Sequence, residues 1–428
     1  MDTDASVLIA GGTVVNPDGA VRADVLVRGG TVVAVGSGLA GDIVLDATGC
    51  HVSSGFVDLH THLREPGREE AETIESGSRA AVRGGYTAVV AMPNTDPAQD
   101  SAMVVRFVAG RGREVGLCEV LPAGCITVGR AGERIVPFSD LAAEGVTIFT
   151  DDGNGVQDPL LMRRALEHAL PLDVTLAQHC EVSRLTEGAV MHEGECCSRL
   201  GVPGWPALAE ELMVHRDIEL VRLVGAPLHL LHLSTAGSVE LVRRAKADGL
   251  PVTAEVTPHH LALTDDLLAE FDPVFKVNPP LRTMRDIEAL REGLRDGTID
   301  AVATDHAPHP DHTKEQPLDA APPGMLGLET ALAVVATSVG LDPVALVRVM
   351  SWNPARIARI SDRQGRPVGV GEPANLAVWD LTTRRVVSRD ALASRSKNTP
   401  WHGMELCGAV HHTLFGGRVV VRDGEVAA

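Results

Sequence analysis

Eight apolar, β-branched runs constrain this chain more than any other feature. They are GFVDLHTH (55–62), TAVVAMPN (87–94), GLCEVLPA (116–123), VTIFTDDG (146–153), DVTLAQHC (173–180), PLHLLHLS (227–234), PVTAEVTP (251–258) and AVATDHAP (301–308). Helical patterns such as TIESGSRAAVRGG and DIEALREGLRDG lie between them. Strands alternating with helices over about 300 residues predict a (β/α)8 TIM barrel, ahead of a doubly wound sheet. Nearly every run ends in a His, Asp or Asn: His60 and His62, Asn94, Asp152, His179, His232 and Asp305. In such a barrel the C-terminal strand ends share one mouth. Any one of these residues alone reads as a polar strand cap. Their recurrent placement argues for a site.

The ends of the chain have a different texture. Residues 1–54 carry VLIAGGTVV, ADVLVRGG and TVVAVG, and residues 371–428 carry NLAVWDL and HHTLFGGRVVVRDGEV. Both stretches read as short strands broken by glycines. They predict a small β-sandwich built from 1–54 and 371–428 around a barrel of 55–370. A length of 428 residues accommodates such a division.

Composition excludes several function classes. Hydrophobic residues are 44% and charged residues 22%, which is ordinary for a globular chain and excludes disorder. No run of about 18 apolar residues exists, so no membrane span is expected. The acidic start MDTDASVLIAGG is not a secretory signal. A formal net charge of −19 argues against a nucleic-acid or anionic-membrane surface. Seven cysteines without a C-x-x-C motif read as reduced thiols in a cytoplasm.

His60-Thr61-His62 puts two imidazoles on one face of a strand. With the later strand ends this makes an N/O donor set without thiolate. Such a set suits Zn²⁺, and other divalent ions fit by geometry. Six ligands exceed one tetrahedral ion, so two ions sharing a ligand are expected.

These residues carry a resemblance. The chain is similar to bacterial class I dihydroorotases of the amidohydrolase superfamily. The likeness rests on DLHTHLREPG (58–67), AMPNT (91–95), FTDDG (149–153), QHCE (178–181), LHLST (231–235), VNPPLR (277–282), ATDHAPH (303–309) and GLET (327–330), with TPHHL (257–261) and SWNPAR (351–356) beside them. It implies that His60, His62 and Asp305 hold a first metal, that His179 and His232 hold a second, and that Asp152 bridges both. Asp151 is the adjacent rival for the bridge. It further implies that Asp305 is the catalytic general acid/base. Substrate contacts would come from His62, Arg64, Asn94, Asn278, His309 and the backbone near Pro323-Gly324. Arg64 offers a planar fork for a carboxylate; a surface ion pair with Glu65 or Glu69 is its plain alternative. Relatives carry an aromatic residue where Pro323 stands, so this chain departs from the pattern there.

Other residues take a structural reading. His259-His260 and His411-His412 receive no ligand role. His51 is assigned to the sandwich. His229, three before His232, is expected to point away from it, against a helix. Residues 306–326 read as a mobile flap over the site.

The implied activity is reversible cyclisation of N-carbamoyl-L-aspartate to L-dihydroorotate in de novo pyrimidine synthesis, with two zinc ions per subunit. A homodimer, with association to an aspartate transcarbamoylase, is the implied assembly. The nearest rival is a hydantoinase, dihydropyrimidinase or allantoinase. Those enzymes bridge their metals with a carboxylated lysine after the fourth strand. The four lysines here are Lys246, Lys276, Lys314 and Lys397, all beyond that point. A non-catalytic homologue that only scaffolds a transcarbamoylase would lack the metal ligands, which this chain keeps.

Overall fold

A computed structural model describes residues 5–427. The chain opens with five strands: β1 (Val7–Asn16), β2 (Gly19–Arg28), β3 (Thr31–Gly36), β4 (Ile43–Asp46) and β5 (His51–Ser54). The turn Asn16-Pro17-Asp18-Gly19 closes the β1–β2 hairpin. The first half of β1 pairs with β4 and its second half with β5, both parallel. A bulge between Ile9 and Gly12 separates the halves.

The eight predicted strands follow, shorter than their apolar runs. They are β6 (Phe56–Thr61), β7 (Tyr86–Ala91), β8 (Glu119–Pro122), β9 (Ile148–Thr150) and β10 (Thr175–Gln178). A small pair intervenes, β11 (Met191–His192) and β12 (Gly204–Trp205). Then come β13 (Leu228–Leu230), β14 (Val252–Val256) and β15 (Ala301–Val302). All are parallel, in ladders β6-β7-β8 and β9-β10-β13-β14-β15. Isolated parallel bridges Gly124↔Phe149 and Thr61↔His306 join the two ladders at both seams.

Two cores follow from the period-2 alternation of these strands. Val57, Leu59, Ala88, Val90, Ile148, Ala177, Leu231, Ala301 and Ala303 pack on the inner side. Val89, Leu176, Leu228, Leu230, Val256 and Val302 pack outward on helix residues such as Val105, Met162, Val214 and Leu290. The helices start at side-chain caps. Thr73 Oγ1 accepts from Ser76 N at 3.1 Å, and Asp158 Oδ1 accepts from Leu161 N at 2.8 Å. The SWNPAR segment ties down the other end: Ser351 Oγ donates to Gly55 O (2.6 Å) and Asn353 Nδ2 to Asp300 O (2.8 Å).

The chain ends in β16 (Leu376–Val386), β17 (Glu405–Phe415), β18 (Arg418–Arg422) and β19 (Glu425–Val426). β16 pairs antiparallel with β5. The termini therefore form one continuous mixed sheet in the order β19-β18-β17-β16-β5-β1-β2-β3, with β4 on β1. This differs from the sandwich of the sequence reading, because β1 bends at its bulge and keeps partners on both halves of one edge. Trp379 stacks on His51 at 4.6 Å and approaches Phe56 at 6.2 Å, joining this sheet to the parallel strands. No helix among the described residues is long and apolar enough to cross a membrane.

Candidate metal centre

The parallel strands stop where the polar residues begin. His60 lies near the end of β6 and His62 just past it. Asp152, His179 and His232 follow β9, β10 and β13, and Asp305 follows β15. At two of these places, and at Arg64 beside them, the backbone leaves the extended region. Arg64, His232 and Asp305 have φ of 63°, 34° and 46°. Positive φ is uncommon outside glycine and accumulates at functional sites.

The carboxylate of Asp152 lies at the centre. Its Oδ2 is 3.4 Å from His60 Nε2 and 3.5 Å from His62 Nε2. Its Oδ1 is 3.4 Å from His179 Nδ1 and 3.5 Å from His232 Nε2. Asp305 Oδ1 stands 3.0 Å from His62 Nε2 and 3.5 Å from His60 Nε2. All six side chains are buried. Asp151, the rival for the centre, faces away; its Oδ1 accepts from the Ile126 and Thr127 amides at 2.8 and 3.0 Å.

This donor set fits divalent metal. Two donors bound at 2.0–2.1 Å to one tetrahedral ion lie about 3.3 Å apart, close to the separations around Asp152. His60 Nε2 is buried and has no hydrogen-bond partner. Burial opposes charge on His60, yet Asp152 and Asp305 outweigh it and hold its pKa well above the usual value. His179 is likewise pushed up to about 10, against burial, chiefly by Asp152 and Glu181. The same imidazoles hold Asp152 and Asp305 below the carboxylate range in spite of burial. Protons thus sit where the carboxylates call for cations.

Three of the four imidazoles are aimed by a second partner. His60 Nδ1 donates to Glu255 Oε1 at 2.9 Å, and His62 Nδ1 to Asn94 Oδ1 at 2.9 Å. His179 Nε2 donates to Glu181 Oε2 at 2.8 Å. Carboxylate and amide partners of this kind fix ring orientation at metal sites. His229 corrects the sequence reading. It pairs with Ala177, whose side chain faces inward, and its Nε2 donates to Glu255 Oε2 at 3.0 Å. The expected alternation fails because β13 ends at Leu230 and His232 turns into positive φ.

Above the centre lies a cavity of about 280 Å³. Its lining includes His62, Arg64, Arg68, Asn94, Asn278, His309, Pro323 and Gly324 with Asp152, His179, His232 and Asp305 of the cluster. Arg64 is buried, its Nε donating to Pro308 O at 3.1 Å. Burial and Arg68 lower its pKa to about 10, so it remains a cation at neutral pH. It makes no ion pair with Glu65 or Glu69. Those carboxylates instead accept from Arg111 Nε and the Gly67 amide. Asn278 makes no side-chain hydrogen bond among the described residues. His309 Nε2 donates to Pro323 O at 2.9 Å. Gly324 has φ +143°, and a Cβ there would lie 2.8 Å from Ala307 Cβ. Its N–H donates to Lys276 O, and its carbonyl accepts from Lys314 and Asn398. Of this backbone, Pro323 O therefore keeps one free lone pair for a ligand.

Comparison with known proteins places this geometry. Residues 49–238 match the model of the Dihydro-orotase-like family. The dihydroorotase of Mycobacterium tuberculosis is 54% identical over 391 residues, 90% of this chain and 91% of that protein. The chain belongs to the dihydroorotase family. A dihydroorotase from Streptomyces coelicolor is 51% identical over 92% of this chain and 93% of its own. Among solved structures, the L-hydantoinase (dihydropyrimidinase) of Arthrobacter aurescens superposes with a TM-score of 0.89 at 26% identity, covering 99% of this chain and 98% of that one. Dihydropyrimidinase from Brevibacillus agri shares the fold, with a TM-score of 0.84 at 24% identity over 99% and 96% of the two chains.

Dihydroorotase-type motifs contain the six clustered side chains but not all of their supports. Arg68, four residues past Arg64 in LREPGR, lines the same cavity and was not singled out in the sequence. Glu255 and Asn398 carry no local signal. Asp58, inside the DLHTH motif, uses Oδ1 to hold the amides of His60 and Thr304 at 3.0 and 3.1 Å. His260 bonds Thr257 and Pro279 O. A further ligand-like group, Cys50, Asp380 and His411, is complete without an ion, because Asp380 accepts from Thr382, Thr383 and His411. All seven cysteines are free thiols.

Proposed function

We propose that this chain is a dihydroorotase, interconverting L-dihydroorotate and N-carbamoyl-L-aspartate. The observation that carries the reading is the division of Asp152 between two histidine pairs beneath a cavity walled by the Arg64 guanidinium. Two zinc ions per subunit are the metals proposed. His60, His62 and Asp305 would hold one and His179 and His232 the other, with Asp152 shared between them. Divalent ions bound there supply Lewis-acid polarisation of an amide carbonyl and acidify water.

The protein's own groups do the rest. Asp305, an anion at neutral pH, accepts the proton of the attacking water and returns it to the ring nitrogen as the C–N bond breaks. In the direction of ring closure the proton runs the other way. The Arg64 fork grips the substrate carboxylate. Asn278 and Pro323 O meet the amide and ureido groups, and His309 closes the cavity above them. Asn94 supports His62 and presents its amide nitrogen to the same space.

An Asp after β9 and a buried arginine beside the ligands favour this reading over a hydantoinase. The chain has no lysine before Lys246 to bridge the metals. In the same reading, residues 55–370 are a closed (β/α)8 barrel flanked by 1–54 and 371–428. The enzyme works in the cytoplasm as a homodimer. Light scattering alone and with an aspartate transcarbamoylase reads both assembly states.

The test follows ring opening of dihydroorotate and of a hydantoin on protein of measured metal content. Dihydroorotate should be turned over with about two metal equivalents bound. Asp305→Ala should lose about 10²–10⁴ of the rate with an unchanged circular dichroism spectrum. Turnover of the hydantoin alone, or an Asp305→Ala variant keeping about a tenth of the rate or more, overturns the assignment.

A further inference from the structure

Only four of the 38 Lys and Arg residues are lysine. Lys246 pairs with Asp300. The other three donate to backbone carbonyls.

Lys314 has the most carbonyl partners of these three. It ends the helix Asp311–Lys314 and is 8% exposed. Its Nζ lies 3.0 Å from Pro322 O, 3.2 Å from Gly324 O and 3.4 Å from Lys276 O. An ammonium has three N–H donors, and these carbonyls use all three. Burying a cation without a carboxylate partner is costly. Burial and the Lys276 charge push its pKa down to about 7, while Asp272 favours the charged form. A purely space-filling role would be met at less cost by an apolar side chain.

The three carbonyls belong to two segments of the cavity wall. Lys276 precedes Val277 and Asn278. Pro322 and Gly324 flank Pro323. Val277, Asn278, Pro322, Pro323 and Gly324 all line the cavity above the metal centre. One backbone bond, Gly324 N to Lys276 O at 2.9 Å, joins the same segments. Asn398 Nδ2 holds the far side, donating to Gly324 O and Ala307 O.

We propose that Lys314 is a positioning residue of the substrate cavity: its ammonium staples segment 276–278 to segment 322–324 and so sets the wall against which the substrate amide lies. The proposal rests on the substrate reading above. Arginine does not replace it, because a planar guanidinium spreads its donors in a fork and cannot aim three of them at carbonyls around one centre.

Parent, Lys314→Met, Lys314→Arg and Lys276→Met are compared in metal-loaded form. The readouts are metal content, KM and kcat for dihydroorotate, and hydrogen exchange of peptides covering Gly324 without substrate. Both Lys314 variants should keep the parent's metal content, raise KM about tenfold or more with a smaller change in kcat, and speed exchange about tenfold. Lys276→Met loses only contacts to Leu318 O and Asp319 O, and should change each value less than about threefold. KM and exchange within about twofold of the parent in both Lys314 variants overturn the staple. Equal effects from Lys276→Met overturn it too, as a general loosening of the loop. Should Lys314→Met fail to fold, Lys314→Arg decides alone. Exchange needs no turnover. A parent inert toward dihydroorotate removes the substrate reading and leaves the staple to be judged by exchange.

Discussion

Glu255 shows how much one buried side chain controls. Its carboxylate takes His60 Nδ1 on one oxygen and His229 Nε2 on the other. Burial would raise its pKa, but the two histidines hold it down to about 2, so it stays an anion at working pH. Glu255→Gln keeps the shape and loses the charge. It should weaken metal binding by about 10–100-fold, read by competition with a chromogenic chelator. Parent-like affinity would mean that His60 needs no orienting anion. Arg64→Lys keeps the charge and loses the fork. Its KM for dihydroorotate should rise about tenfold or more with metal content unchanged; an unchanged KM puts the substrate carboxylate elsewhere. At this scale the clustering of the six strand-end side chains was legible, because residue type and strand-end position pointed the same way. Glu255 and His229 were not. Their roles depend on where β13 stops, and that is set by the positive φ of His232, which no local pattern announces.

At the scale of elements, Asp380 organises the β16–β17 ladder. It sits at a register shift and accepts from the amides of Thr382 and Thr383, both at 2.6 Å, and from His411. Burial raises its pKa, but His411 and the two threonines outweigh it and hold the carboxyl below the usual range. A depressed carboxylate stabilises the fold above the unfolded value of about 3.9, and the contribution fades as pH falls through the lower folded value. Asp380→Asn should therefore cost on the order of 2–3 kcal/mol at pH 7, with the gap to the parent narrowing toward pH 3. Equal melting temperatures at pH 7 would show the ladder to be held without it. The sequence located all eight parallel strands but drew each too long, because hydrophobicity continues past the last ladder bond into the cavity floor. The two-residue strands β11 and β12 are too short to show a period. The segment 306–326 reads as a loose flap from its prolines. In the structure Lys314, Lys276 and Asn398 hold it through carbonyls that composition does not reveal.

For the whole molecule, the β-rich ends made their partnership legible. Their register was not, since β5 pairs with β1 on one edge and with β16 on the other across more than three hundred residues. That seam bears on stability. Trp379 Nε1 donates to Ser53 Oγ at 2.9 Å, and Thr413 Oγ1 to Val82 O at 2.7 Å. A chain ending at residue 370 loses both bonds and uncovers Phe56 and Tyr86. It should show no cooperative melt and should elute as aggregate on size exclusion. A monodisperse product binding the parent's complement of metal would show that the parallel strands stand alone.

The same seam sets an order of events on the ribosome. The edge of β5 that will receive β16 emerges early and stays unpaired until residue 376 is made. At about 5–20 residues per second that wait lasts tens of seconds. An open strand edge is a template for pairing with other chains. A nascent chain of this kind therefore spends most of its synthesis with an adhesive edge exposed, and its yield should depend on holdase chaperones more than on the stability of the finished enzyme.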